Sequence, residues 1–356
     1  MKKKKTIKHL KPQKKISASR GYFFHIVVGV FAFVAIVSLY QFKTSYATDC
    51  TQTGFYRDGI NLTAAKINPE QPVTGEVDAT GCHIGIYFGP GSRGSLKKAN
   101  VHGANYFGVV NQKARVDIQD SVITNIGETP FNGTQHGVAV YYATVDALVS
   151  GTVCTTGATS GKIDGNIISN YQKGGVVANC TGTQVQITNN KVTGLGPVSF
   201  IAQNGIQVGY GADSIVKGNT VENNSYTGTS TVSGGIVVVG GAYYGSDLTK
   251  GTQILDNTVR DNDIGIFLTN LGADGAAPTD ATNVKAVNNT VSSTALNNHY
   301  GGVGYQAGIS DVGNNDKIIA NTISGAGYDP AANPGAYTVQ IDADPSFTNR
   351  PKVHAN

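Results

Sequence analysis

Along most of the chain the apolar residues fall in short phrases punctuated by Asn and Gly. One phrase, apolar-x-x-Asn-x-apolar, appears as Ile163/Asn166/Ile168, Ile187/Asn190/Val192, Val216/Asn219/Val221, Ile254/Asn257/Val259, Ala286/Asn289/Val291 and Ile318/Asn321/Ile323. Two degenerate copies precede these, Leu96/Ala99/Val101 and Ile118/Ser121/Ile123. A second phrase, Gly-apolar-x-apolar, alternates with the first. It reads Gly85-Ile86-Tyr87-Phe88, Gly108-Val109-Val110, Gly137-Val138-Ala139-Val140, Gly175-Val176-Val177-Ala178, Gly205-Ile206-Gln207-Val208, Gly235-Ile236-Val237-Val238, Gly265-Ile266-Phe267-Leu268 and Gly308-Ile309. Short β-branched runs bounded by Gly and Asn are strand signals. Their recurrence predicts a stack of similar coils.

One coil cannot bury its apolar face, whereas a stack buries a continuous core. The Asn column then has a physical reason. Stacked at one corner, each amide donates to and accepts from the next coil, as Asn ladders do in other stacked β arrays. An inward Asn without that partner would carry an unsatisfied buried amide. The Asn slots are spaced irregularly, at 24, 29, 38, 32 and 32 residues. A β solenoid tolerates this because insertions leave at its corners. On these two phrases the chain resembles the right-handed parallel β-helix proteins of the pectate-lyase-like superfamily, over roughly residues 80–342. The expected fold is all-β: a right-handed parallel β-helix of about nine coils.

Composition agrees with a β solenoid: 46 Gly in 356 residues, 14% charged residues and no Trp. The net charge of +4 is misleading. Ten of the 27 basic residues lie in residues 1–47, leaving 17 against 23 acidic ones in residues 48–356, a net of −6. That balance offers no basic stripe for nucleic acid. The basic leader precedes an apolar run, Tyr22 to Tyr40, and Ser45-Tyr46-Ala47. Residues 1–47 are therefore expected to be a cleaved secretory signal or a retained membrane anchor. Both readings place residues 48–356 outside the cytoplasm, secreted or attached to the outer face of the membrane.

Four cysteines follow the leader, as suits an oxidising compartment. Cys50 and Cys82 flank the expected N-terminal cap, residues 48–80, and Cys154 and Cys180 lie about one coil apart. Of three connectivities, Cys50–Cys82 with Cys154–Cys180 is favoured, and free buried thiols are the alternative. Within the cap, residues 58–67 suggest a short helix ended before Pro69. The β-helix is expected over 81–342 and a loose tail over 343–356, where the repeat is lost.

Insertions at the two corners are where a site would be built. One set carries Glu128, His136, Tyr226, His299, Tyr300 and Tyr305; the other carries Tyr141, Tyr142, Tyr243, Tyr244, Asp247, Lys250, Asp274 and Asp280. The resemblance implies acidic residues and a cation on the outward face of one strand column. Taking the third residue of each Gly phrase as outward, that column reads Tyr87, Ala139, Val177, Gln207, Val237, Phe267 and Ser310. It holds no charge, so loops cover this face or a ligand binds it.

His136-Gly137 is similar to the His-Gly pair of the polygalacturonase-like branch, but the paired Asp and Arg-x-Lys motifs implied with it are missing. His136 with Glu128 is the candidate acid–base pair, against a loop His bonded at a turn. Asp261 is a third catalytic candidate, although its register matches a turn position filled by Gly and Asn elsewhere. Tyr141, Tyr142, Tyr210, Tyr243 and Tyr244 follow Gly strands and are candidates for stacking on sugar rings. Asp274 and Asp280 do not supply the converging oxygens that calcium needs, and no metal or other cofactor is expected.

The sequence thus predicts an extracellular or cell-surface protein that binds polysaccharide or serves as structure. The alternatives are a polysaccharide lyase, glycoside hydrolase or epimerase with a loop-built site, and an adhesin that engages protein.

Overall fold

The computed structural model describes residues 49–148, 152–341 and 352–354; the predicted leader lies outside them. The strands form one 13-stranded and one 17-stranded sheet. The first, here the Gly sheet, carries ten coil strands in parallel succession. They run from Ile60–Ile67 through Ile84–Phe88, Phe107–Gln112, Val138–Ala143, Gly174–Asn179, Asn204–Gly209, Gly234–Gly240, Ile264–Asn270 and Gln306–Asp311 to Ala336–Ile341. The second, the Asn sheet, carries the Asn phrases, also in parallel register. The apolar core lies between the two sheets. The expected parallel β-helix is present, and among the described residues there is no α-helix.

The two phrases prove to be halves of one packing unit. Asn166, Asn190, Asn219, Asn257, Asn289 and Asn321 form a continuous ladder. Each backbone N–H and side-chain amide donates to Oδ1 of the next, at 2.9–3.0 Å. Ser121 extends the ladder: its backbone N–H donates to Asn166 Oδ1, and its hydroxyl accepts from Ala99 N. Two residues after each Asn, a β-branched side chain points across the core at a glycine. A Cβ added at Gly85, Gly108, Gly175, Gly205, Gly235, Gly265 or Gly308 would lie 2.3–2.7 Å from a γ-methyl of Val101, Ile123, Val192, Val221, Val259, Val291 or Ile323. The glycines are therefore required by close approach of the sheets rather than by turns. Gly235→Val should lower stability by about 2 kcal/mol or more through overpacking. A urea midpoint equal to that of the parent would show that the sheets part freely here.

Three expectations need correction. Residues 58–67 are not helical. Ile60–Ile67 is a strand that pairs antiparallel with Thr51–Arg57 and parallel with Ile84–Phe88. Leu62 and Ala64 are buried between more exposed neighbours, and that period of two overrides local helix propensity. Second, the glycine of the fourth phrase was misplaced. Phe107 pairs with Val138 and Val110 with Tyr141, so Ala139, not Gly137, holds the close-approach position. Tyr141, not Ala139, joins the outward column. Third, the stretch after residue 342 is not wholly outside the repeat, because Lys352–His354 pairs in parallel with Lys317–Ile319.

The Gly sheet also curls back on itself. Thr51–Arg57 pairs with Val145–Leu148, which in turn pairs with Thr152–Cys154. This flap lies over the outer face of the first coils. Phe55 stacks on Tyr87, ring centroids 6.0 Å apart, and a second apolar cluster joins Phe55, Leu62, Val145 and Leu148 to Tyr87, Val110, Tyr141 and Val177. The uncharged outward column is thus covered as far as Val177. Disulfides Cys50–Cys82 and Cys154–Cys180, the favoured pairing, fasten the flap at both ends.

Candidate functional site

Glu128 and His136 meet, as their shared loop suggested. His136 Nε2 lies 2.6 Å from Glu128 Oε1, and Thr134 Oγ1 lies 3.2 Å from the same nitrogen. The loop is held by Gln172, whose Oε1 accepts the Glu128 and Asn132 N–H groups. Two residues that sequence reasoning passed over complete the group. Tyr106 stacks on His136 with centroids 3.9 Å apart, and His83 meets Tyr106 edge-on at 5.2 Å. Both directly precede Gly-sheet strands one coil apart, which is the only sequence signal that links them. His83 Nδ1 accepts from Thr63 N–H. Burial lowers the pKa of His83, the Glu128 carboxylate acts in the opposite direction, and His136 lowers it further. Glu128 also faces an open cavity of about 510 Å³, lined by His102, Asn125, Phe131 and Asn170 among others. A carboxylate held against an imidazole at this distance can exchange a proton with a group in that cavity.

The predicted tyrosines separate. Tyr141 and Tyr142 are 4% and 0% exposed and present no ring face to a ligand. Tyr142 donates to Val116 O across the core at 3.0 Å. Their assignment to loop bases followed from the misplaced glycine. Tyr210 is half-buried at a positive-φ turn. Tyr243 and Tyr244 are exposed and meet edge-to-face at 5.2 Å, and the Tyr244 hydroxyl bonds Thr269 Oγ1. Asp261 sits in the turn its register indicated, at φ 52°, where Oδ1 accepts the backbone N–H and hydroxyl of Thr294. It is not near Glu128 in the coil order. Charged side chains gather instead on the outer face of the Asn sheet, where Glu222 is flanked by Lys191 and Arg260 at 3.0 and 2.8 Å.

A second aromatic group was not assembled from the sequence. Tyr300 lies 6.1 Å from Tyr305, and Tyr305 lies 5.8 Å from Tyr337, centroid to centroid. Tyr300 and Tyr337 are 48% and 39% exposed. The Tyr305 hydroxyl donates to Gln340 Oε1. Gln340 belongs to the outward column, three coil strands beyond Val237 and far from the flap. The sequence signal was weak, because Tyr305 and Tyr337 are brought together only by stacking of the last coils.

The right-handed β-helix region family matches residues 58–243 and 131–325. The chain therefore belongs to that family, and its coils are right-handed. Bacteriophage CBA120 tailspike protein 3 is a solved structure that it resembles, at 12% identity and a TM-score of 0.31; the match covers 82% of this chain and 51%, about half, of the tailspike. Comparison with curated proteins finds no match.

Proposed function

We propose that this chain is an extracellular carbohydrate-binding β-helix, with Tyr300, Tyr305 and Tyr337 as the platform on which sugar rings stack. The carrying observation is the aromatic group itself: three neighbouring rings, two well exposed, beside the side-chain amide of Gln340. Apolar ring faces with polar edges suit pyranose rings, which have the same division. The two disulfides support an oxidising, extracellular setting.

The test is retention on a panel of neutral and acidic polysaccharides. One glycan should retain the chain, and Tyr300→Ala with Tyr337→Ala should weaken retention about tenfold or more. Equal retention by the double variant would remove these rings from the site.

A second reading rests on the 2.6 Å contact of Glu128 with His136 beside an open cavity. In that reading the pair is the acid–base element of a lyase, hydrolase or epimerase. New reducing ends, unsaturated uronates or a changed ratio of uronate epimers on the same panel, lost in Glu128→Gln, would establish it; none of the three from any glycan would dismiss it.

A further inference from the structure

The loop that carries Tyr300 and Tyr305 is held by Gln306 Oε1, which accepts Asn297 N and Asn298 N, by the Gly301 N bond to Thr229 O, and by one buried carboxyl group. Asp263 is fully buried and serves three segments at once. Its Oδ1 accepts Ser225 Oγ at 2.7 Å. Its Oδ2 accepts Tyr226 N at 3.0 Å, Ser233 N at 2.8 Å and Asn298 Nδ2 at 3.2 Å. Asn298 carries the connection to the aromatic site. Its Oδ1 accepts Tyr300 N at 2.9 Å, its backbone oxygen accepts Tyr305 N at 3.0 Å, and its amide also donates to Tyr226 O at 2.6 Å. One residue thus places the two tyrosines, Tyr300 through its side chain and Tyr305 through its backbone oxygen, and Asp263 holds that side chain.

We propose that Asp263 and Asn298 are the positioning residues of the aromatic site, forming a clamp that closes more tightly as the medium becomes mildly acidic. This rests on the reading of Tyr300, Tyr305 and Tyr337 as the glycan platform. Among the described residues no cation is paired with Asp263. The groups that face it are the Ser225 hydroxyl, the Tyr226 and Ser233 amides and the Asn298 amide, with Tyr328 nearby as the remaining titratable group. Of its two oxygens, only Oδ1 faces a partner able to accept a proton, because a hydroxyl can turn. A neutral carboxyl group, or an Asn in its place, therefore keeps all three N–H bonds to the other oxygen. A released loop would expose Asp263 to water.

The sign follows from that difference. Burial raises the carboxyl group to about 6, opposed by its four hydrogen bonds, from an ordinary value of 3.8. The closed loop thus binds a proton more readily than the open loop. Closure is complete below the ordinary value and weakens as pH rises through about 6. The open fraction should change by up to roughly 100-fold across this window.

The chain has no Trp, so Tyr300→Trp supplies a single fluorescent reporter on the loop. In this background quenching by acrylamide should rise between pH 4.5 and pH 7.5. Asp263→Asn should abolish the rise and keep the reporter protected, whereas Asn298→Ala should leave it open at both values. Asn298→Ala removes the link without emptying the carboxyl site, so it covers the case in which substitutions at Asp263 fail to fold. In chains that keep Tyr300, glycan retention should fall about tenfold in Asn298→Ala and survive in Asp263→Asn. A reporter indifferent to pH, or equally protected in Asn298→Ala, would overturn the clamp. Absence of retention by the parent chain with the reporter behaving as stated would instead reject the glycan platform.

Discussion

Asn219→Ala should destabilise the protein by about 3–5 kcal/mol, the largest loss expected from a single polar side chain. Asn219 stands in the middle of the ladder and is 1% exposed. Its Oδ1 accepts both the backbone and side-chain N–H of Asn190, at 2.9 and 3.0 Å. Its amide donates to Ile187 O at 2.9 Å and Asn257 Oδ1 at 3.0 Å. Alanine therefore leaves two donors and one acceptor without partners inside the stack, and each buried orphan costs about 1–3 kcal/mol. Asn219→Ser should lose less, because Ser121 already shows a hydroxyl filling a slot and accepting from the preceding coil. Chemical denaturation of the three proteins would give the order. If serine and alanine were equally costly, the role would belong to side-chain volume rather than to hydrogen bonding.

Asp316→Asn should have the opposite effect and stabilise the protein at alkaline pH. Asp311 and Asp316 are both fully buried and lie close enough for each to act on the other's charge. Thr282 Oγ1 and Val284 N satisfy Asp316 Oδ1, and Gly313 N satisfies Asp311 Oδ1. Among the described residues no N–H donor reaches the other two oxygens, so a proton between the carboxyl groups keeps like charges apart. Burial first, and then the Asp311 charge, push Asp316 from 3.8 up to about 8. The folded state therefore holds a proton that the unfolded chain releases. The stabilisation is complete below the ordinary value and is lost as pH rises through about 8. One pH unit of such a difference is worth about 1.4 kcal/mol. The melting temperature of the parent should fall between pH 6 and pH 9. Asp316→Asn places an amide opposite Asp311 and should flatten this slope. Parallel slopes for the two proteins would mean that the pair does not share a proton.

Which parts of this molecule were legible in the chain depends on whether a residue needs its neighbours in sequence or in the stack. Asn190 and Val192 announce themselves because every coil repeats the same corner and the same approach to a glycine. Ala139 hid the fourth glycine because it fills that slot, while Gly137 beside His136 imitated the phrase. The slip put Tyr141 and Tyr142 at a loop base, although both are inside. The first hairpin was obscured for another reason. Ile60-Asn61-Leu62-Thr63-Ala64-Ala65 is too short to separate a helical from a strand period by composition. Glu128 and His136 are close in sequence and were found together. Tyr305 and Tyr337, or Asp263 and Asn298, are 32 and 35 residues apart and meet only through insertions of unequal length. Burial of Asp311 and Asp316 is likewise a property of the assembled corner, and nothing in their local sequence distinguishes them from solvated loop carboxylates.

The flap gives the two ends of the molecule different ways to come apart. In a plain solenoid each coil is held by the coils on either side, so loss can begin anywhere and spread. Here Arg57 pairs with Leu148 across 91 positions of chain, and the bond between Cys154 and Cys180 joins the returning strand to the next coil. The coils up to Asn179 are consequently tied by a strap as well as by their neighbours, and should melt as one block. Those beyond it, including the coils that carry Tyr300 and Tyr337, have no disulfide or returning strand across them among the described residues and should fray stepwise from the C-terminal side. A protease acting at intermediate temperature should therefore leave an N-terminal fragment that is still folded, and the aromatic surface should disappear first.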